Sequence, residues 1–301
     1  MKVLLTGATG LIGSALTELL LSNGHEVHYL TTRSSQLKNQ PNLKGFIWNP
    51  SQGTYDRNAF IEVDAIVHLA GASITKPWTK KYKFEILESR INATNTLYKA
   101  LKEVPHQVTQ FITASGIAVY PNSSTQIYTE DFVGAAPGFL SHVVEKWEES
   151  AQKFKQLNLQ VCCMRTGVVL AKDAGALPQM LQPIKIGVGA AIGSGQQHIS
   201  WIHLDDITRF YQSALEHKWQ GIYNAVAPEP VSNAVLTSKI AERLDKKIWL
   251  PNIPQKVIEI LLGERSILVT ADQIVKPQRA LDAHFQYKFP DIDSALGNLI
   301  P

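Results

Sequence analysis

Residues 4–20, LLTGATGLIGSALTELL, place three glycines between a short apolar run and an amphipathic one. Residues 3–5 are apolar and β-prone, whereas Leu11, Ala15, Leu16, Leu19 and Leu20 recur at helical spacing. The local order is therefore strand, glycine turn, helix. In such a unit the first glycine permits the tight turn, the second lets backbone approach a pyrophosphate, and the third packs helix against strand. The start of the helix then offers unpaired N–H groups and a partial positive charge to phosphates. Gly7, Gly10 and Gly13 are spaced G-x-x-G-x-x-G, one residue wider at the first gap than the standard dinucleotide fingerprint. A turn that is only structural would carry the same glycines, so the rest of the chain has to decide.

The strand-then-helix pattern recurs along the chain. Apolar or β-prone runs occur at 26–31, 45–48, 64–69, 109–113 and 160–165, and segments of helical character separate several of them, notably 79–103 and 139–156. Strands alternating with helices predict an α/β chain, a Rossmann-like doubly wound parallel sheet covered on both faces. Its ligand site lies at the carboxyl ends of the strands. Past residue 170 the character changes. Residues 174–200 are rich in glycine and broken by Pro178 and Pro183, and Pro228, Pro230, Pro251 and Pro254 divide the remainder. There 232–244 and 254–263 read as helices, and 285–300 as a strand-like stretch with a terminal helix after it.

The end of the second strand bears on the choice of nucleotide. An NAD-binding protein of this kind usually carries Asp or Glu there for the ribose 2′-hydroxyl. This chain reads YLTTRSS, with Arg33 and no acid after Glu26. A carboxylate repels a 2′-phosphate, while a guanidinium binds one through paired hydrogen bonds, so the expected cofactor is NADP(H). A solvated loop arginine is the alternative. HLAGASI, residues 68–74, runs a buried strand into small residues that would let cofactor lie against backbone. The candidate cofactor-binding residues are Gly7, Thr9, Gly10, Leu11, Ile12, Gly13, Arg33, Leu69, Ala70 and Gly71.

TGATGLIG, HLAGA, the N-x-x-N-T run at Asn92–Thr96 and the ITAS…VY segment resemble the extended short-chain dehydrogenase/reductases, which include the nucleotide-sugar epimerases. The likeness is nearer to an epimerase-like branch with a distinctive C-terminal extension, through KPWTKKYKFEILESRI (76–91), RTGVVL (165–170), GSGQQHISWIHLDD (193–206), YNAVAPEPV (223–231) and LLGE (261–264). The resemblance implies an NADP-binding domain over 1–170, with later strands returning from about 200–226, and a smaller, interleaved substrate lobe over 171–301. It also implies Arg165, Gln197 and Trp201 as substrate-cleft residues, with core packing an equal alternative for Trp201.

Active members of the family use Ser, Tyr and Lys, the last two as Tyr-x-x-x-Lys on the helix after the serine strand. The tyrosine exchanges a proton with a substrate oxygen, and the lysine lowers its pKa. The helix aligned with it, GFLSHVVEKWEES, places Leu140 and Val144 at those positions, and neither transfers a proton. Ser115 is the candidate catalytic hydroxyl, and capping the turn after its strand is the competing role. His142 and Glu145 are substitutes by chemistry, although both also suit a solvated helix face. Tyr120 stands near the same strand end, where an aromatic that merely packs is equally expected.

His203, Asp205 and Asp206 suggest a strand entering a helix capped by one of the aspartates, not a metal site. A net charge of +3 is too small to argue for nucleic acid or an acidic membrane. Lys76, Lys80, Lys81 and Lys83 form a local basic cluster that suits an anionic substrate or a solvated helix. Cys162 and Cys163, the only cysteines, are adjacent on a strand and point to opposite faces. Unpaired buried thiols and the lack of a leader or long apolar run predict a cytoplasmic protein, monomeric or homodimeric, acting on a small molecule. These features leave two functions: an NADP-dependent oxidoreductase or epimerase with an unusual proton donor, or a non-catalytic NADP(H)-binding sensor.

Overall fold

A computed structural model describes residues 1–300. Seven parallel strands form the main sheet: β1 (Lys2–Thr6), β2 (Glu26–Thr31), β3 (Leu43–Asn49), β4 (Ala65–His68), β5 (Gln110–Gly116), β6 (Gln160–Thr166) and β7 (Gly221–Ala225). Their order is β7-β6-β5-β4-β1-β2-β3, with Asn39–Gln40 pairing antiparallel at the far edge. The order reverses at β1, which opens a crevice beyond the carboxyl ends of β1 and β4. The expected doubly wound α/β fold is the one observed.

Burial on both faces explains why these strands read as apolar runs. Val3 and Leu5 face a core built with Leu16 and Leu20 of helix α1 (Leu11–Ser22). Leu4 faces the opposite core with Ala93, Leu97 and Ala100 of α2 (Lys80–Glu103) and Ala151 of α3 (Phe139–Gln152). Cys162 joins the first core and Cys163 the second, as strand alternation requires. α3 passes into a tighter turn at Lys153–Leu157 that ends on Asn158 in the left-handed region (φ 58°).

After Leu170 come α4 (Ala176–Lys185), α5 (Leu204–Glu216), α6 (Asn233–Arg243) and α7 (Gln255–Leu262). α5 packs Ile207, Phe210 and Tyr211 into the same core as α1, and β7 pairs with β6, so this part of the chain returns to the sheet. Leu177, Leu181, Trp201, Leu236, Ile240 and Leu296 build a further core. Among the described residues no helix is long and apolar enough to cross a membrane.

Two local expectations need correction. α5 is capped by His203, whose Nδ1 accepts the Asp205 N–H at 3.0 Å, and not by an aspartate. Asp206 is buried one residue further on, where its carboxylate accepts the N–H groups of Lys288 and Phe289, both at 2.8 Å. That bears on the second correction: residues 285–290 form no strand, since Asp206 takes the N–H groups of Lys288 and Phe289 and Phe285 packs edge-on to Phe210.

Candidate active site

The glycine turn is shaped by contacts that exclude side chains. Gly7 has φ +72°, and a Cβ there would lie 2.9 Å from the Leu69 carbonyl carbon and 3.0 Å from the Ala70 nitrogen. At Gly13 a Cβ would lie 2.1 Å from the Gly7 oxygen. Gly10 caps α1 with extended backbone and no side-chain hydrogen bond, and the first turn of α1 holds no acid. Thr9 and Gly10 are exposed, and Leu11 and Ile12 half-buried. The turn therefore presents uncapped helix N–H groups and positive partial charge, with no carboxylate to oppose an anion.

A buried pair locks this turn to the loop after β4. Thr6 Oγ1 accepts the N–H groups of Leu69 and Ala70, each at 3.1 Å, and lies 2.6 Å from His68 Nδ1. With both lone pairs used, the hydroxyl proton points at Nδ1, so neutral His68 carries its own proton on Nε2. Burial, aided by the Arg90 charge, pushes the His68 pKa down to about 3 from 6.5. Between those values the unfolded chain binds a proton that the native state refuses. Stability present above about pH 6.5 is thus lost as pH falls toward 3, on the order of 5 kcal/mol from this residue. Urea midpoints measured against pH for the native chain and for His68→Gln check this. The variant's acid limb should be flatter by that amount, and parallel limbs would show that His68 is not held neutral.

Beyond β2, residues 32–35 are exposed. The Arg33 N–H donates to Thr31 Oγ1 at 3.2 Å, while its guanidinium makes no hydrogen bond or ion pair among the described residues. Leu69, Ala70 and Gly71 lie at the end of β4, next to Gly7.

The carboxyl end of β5 is occupied by a polar network. Ser115 Oγ donates to Glu148 Oε1 at 2.6 Å. Arg165 grips the same carboxylate with Nε to Oε1 at 2.9 Å and Nη2 to Oε2 at 2.8 Å. Its Nη1 donates to the Tyr120 hydroxyl at 3.0 Å, which in turn donates to Asn224 Oδ1 at 2.8 Å. Arg165 is 6% exposed and Tyr120 fully buried, so both are committed to this network. Burial also raises the Tyr120 pKa, against the pull of Arg165. Val144 is buried beside β5, its Cγ2 3.6 Å from where a Gly116 Cβ would stand, and Leu140 is half-buried. His142 and Glu145 are exposed on the outer side of α3.

Other candidates sit apart from this network. Gln197 donates to the Ile192 carbonyl at 3.0 Å, and its own carbonyl accepts the Asn233 N–H. Trp201 has 0% exposure, packs with Leu177, Leu236 and Leu296, and donates its indole N–H to the Glu229 carbonyl at 3.1 Å. Lys83 pairs with Glu264, and Arg265 Nη1 donates to the Thr75 carbonyl at 2.6 Å, which ties the loop after β4 to the C-terminal segment. Lys80 and Lys81 are solvent-exposed.

The sequence and fold are similar to those of proteins of known family. The model of the "NAD dependent epimerase/dehydratase family" matches residues 3–225. The chain belongs to this family. A domain of unknown function, DUF1731, matches residues 253–299. Mouse epimerase family protein SDR39U1 is 35% identical over 305 residues, covering 100% of both chains. The crystal structure of human SDR39U1 with NADPH is 32% identical with a TM-score of 0.86, covering 100% of this chain and 99% of that one. A nucleoside-diphosphate sugar epimerase from Corynebacterium glutamicum is 29% identical with a TM-score of 0.80, covering 100% of this chain and 58% of that one.

Three residues important to the geometry of this family member went unread in the sequence. His68 lies in the apolar run 64–69, Glu148 in the helical segment 139–156 and Arg90 in the helical segment 79–103, and the sequence assigns none of the three a role. Glu148 had a detectable signal, since it lies seven residues after Ser141 on the helical face that also holds Val144. The other two are defined by tertiary neighbours alone.

Proposed function

We propose that this epimerase-family chain is an NADP(H)-dependent oxidoreductase or epimerase acting on a small hydroxylated or nucleotide-linked molecule. The observation that supports this most is the backbone closure at Gly7 and Gly13, which leaves uncapped helix N–H groups exposed at the strand-order reversal. In this reading residues 7 and 9–13 hold the diphosphate, and Leu69, Ala70 and Gly71 offer backbone to the ribose. Arg33 takes the 2′-phosphate. A bound nicotinamide supplies the hydride donor or acceptor. Ser115 Oγ holds the proton of a substrate oxygen, with Glu148 as acceptor behind it and Arg165 fixing that carboxylate. Residues after 170, apart from those returning to the sheet, form the lobe that selects substrate, with Gln197 at its hinge to α6. NADPH-bound human SDR39U1 supports the choice of nucleotide.

Arg33→Ala tests the assignment. Loss of a charge-assisted contact worth about 1.5–3 kcal/mol should weaken NADPH roughly 10- to 100-fold and leave NADH unchanged. Equal losses for both nucleotides, or none, would remove Arg33 from the site. The buried Val144 and the Leu140 one turn earlier favour a second reading, NADP(H) occupancy without turnover. Failure of NADPH-loaded protein to transfer hydride to any of a panel of carbonyl and nucleotide-sugar compounds would support it.

A further inference from the structure

Arg90 is a half-buried cation with no counter-ion among the described residues. From α2 its guanidinium turns under the loop after β4, where Nη1 donates to the carbonyls of Ile86 at 2.8 Å and Ala72 at 3.2 Å. Its Cζ lies 4.8 Å from the centroid of the Trp147 ring. A Cβ on Gly71 would approach that Cζ to 3.1 Å, so a side chain there would press the guanidinium aside. Among the described residues Arg90 makes no ion pair, and Nε is buried without a partner. The Trp147 indole N–H beside it is also buried and unpartnered.

The contrast with Arg165 is informative. Arg165 is buried and held by both oxygens of Glu148, whereas Arg90 is half-buried, with its Nε out of reach of water, and meets only backbone carbonyls. Withdrawing an unpaired guanidinium even partly from water is costly, and a fold that does so without a carboxylate leaves room for the compensating charge to come from outside. The unused Nε–Nη2 edge is a fork of parallel donors, the geometry that matches two oxygens of a phosphoryl group. Its position supports the same ligand chemistry. The loop over Arg90 is the one packed against Gly7: Leu69 and Ala70 stand at Gly7, and Gly71 stands at the guanidinium.

We propose that Arg90 is an oxyanion anchor that takes a phosphoryl group of a diphosphate in the crevice beyond β1 and β4. The diphosphate is that of the dinucleotide or that of a nucleotide-linked substrate; only the first source rests on the proposed function. Binding of inorganic pyrophosphate to the full chain, measured by thermal shift and calorimetry, tests the site without any turnover. Arg90→Lys keeps the charge and loses the fork, and Arg90→Met keeps the packing on Trp147. The expected result is pyrophosphate binding to the native chain, weakened tenfold or more in both variants.

NADPH affinity separates the two sources. A tenfold or greater loss in Arg90→Lys assigns the cofactor's diphosphate. Unchanged NADPH affinity, with pyrophosphate still binding NADPH-saturated native protein, assigns the substrate's. Arg90-dependent pyrophosphate binding without any NADPH binding would uphold the anchor while refuting the proposed function. Equal pyrophosphate affinity in native chain and Arg90→Lys, or no binding to the native chain, would overturn the proposal and leave Arg90 as a strut for the loop. Near-ultraviolet circular dichroism of Arg90→Lys ensures that a loss is read on a native fold.

Discussion

Gly13→Ala should abolish measurable NADPH binding and lower stability by about 1–3 kcal/mol or more, whereas Gly10→Ala should weaken NADPH and leave the fold intact. The difference comes from what each added methyl meets. At Gly13 the nearest atoms are the Gly7 oxygen at 2.1 Å and the Ala8 Cα and Gly7 carbonyl carbon at 2.8 Å, all backbone of the phosphate turn. Backbone cannot rotate aside as a side chain does, so α1 must move outward or the turn must open. Either change displaces the N–H groups that would hold phosphate. At Gly10 the nearest atom is the Gly7 oxygen at 3.3 Å, and φ is −86°, accessible to alanine. There the methyl obstructs the approach of a ligand and not the packing of the helix. Chemical denaturation and NADPH titration of both variants decide the matter. If Gly13→Ala binds NADPH like the native chain, this turn does not hold the cofactor.

Glu148→Gln should cost about 3–5 kcal/mol, because it leaves Arg165 buried without its carboxylate. Glu148 accepts three hydrogen bonds, one from Ser115 and two from Arg165, and side-chain exposures of 13% and 7% give water little access to replace them. The double variant Glu148→Leu/Arg165→Met removes both charges and should lose less than the single one. A double-mutant cycle by urea denaturation measures this directly. An effect below about 1 kcal/mol for Glu148→Gln would mean that the pair behaves as a surface ion pair. Ser115 adds a second readout. With the carboxylate gone its hydroxyl loses the acceptor that would take a proton, so any hydride-transfer rate should fall in Glu148→Gln more than nucleotide affinity does.

The parts of the fold written in local pattern were legible. Runs at 26–31, 64–69 and 160–165 became β2, β4 and β6 within a residue or two, because strands buried on both faces read as continuous apolar segments. The glycine turn was legible for a similar reason, since each glycine answers a steric demand of its immediate surroundings. Where pattern and tertiary contact compete, the sequence misled. Residues 285–290 alternate like a strand, yet the Asp206 carboxylate, about 80 positions earlier, takes the backbone N–H groups of Lys288 and Phe289. His203 caps α5 where an aspartate was expected, because its ring is fixed between Phe289 and Asn298. Arg90 could not be singled out at all. Its distinguishing property is the lack of a carboxylate partner in space, and nothing at neighbouring positions encodes that.

Titration of the native chain with NADPH and with NADH, monitored by nicotinamide fluorescence, tests most directly whether the crevice at the end of β1 is an NADP(H) site. An uncapped helix start facing the diphosphate, with Arg33 and no acid beyond β2, predicts NADPH binding at least about tenfold tighter than NADH. Equal affinities would contradict the role of Arg33, and binding of neither nucleotide would contradict the site itself.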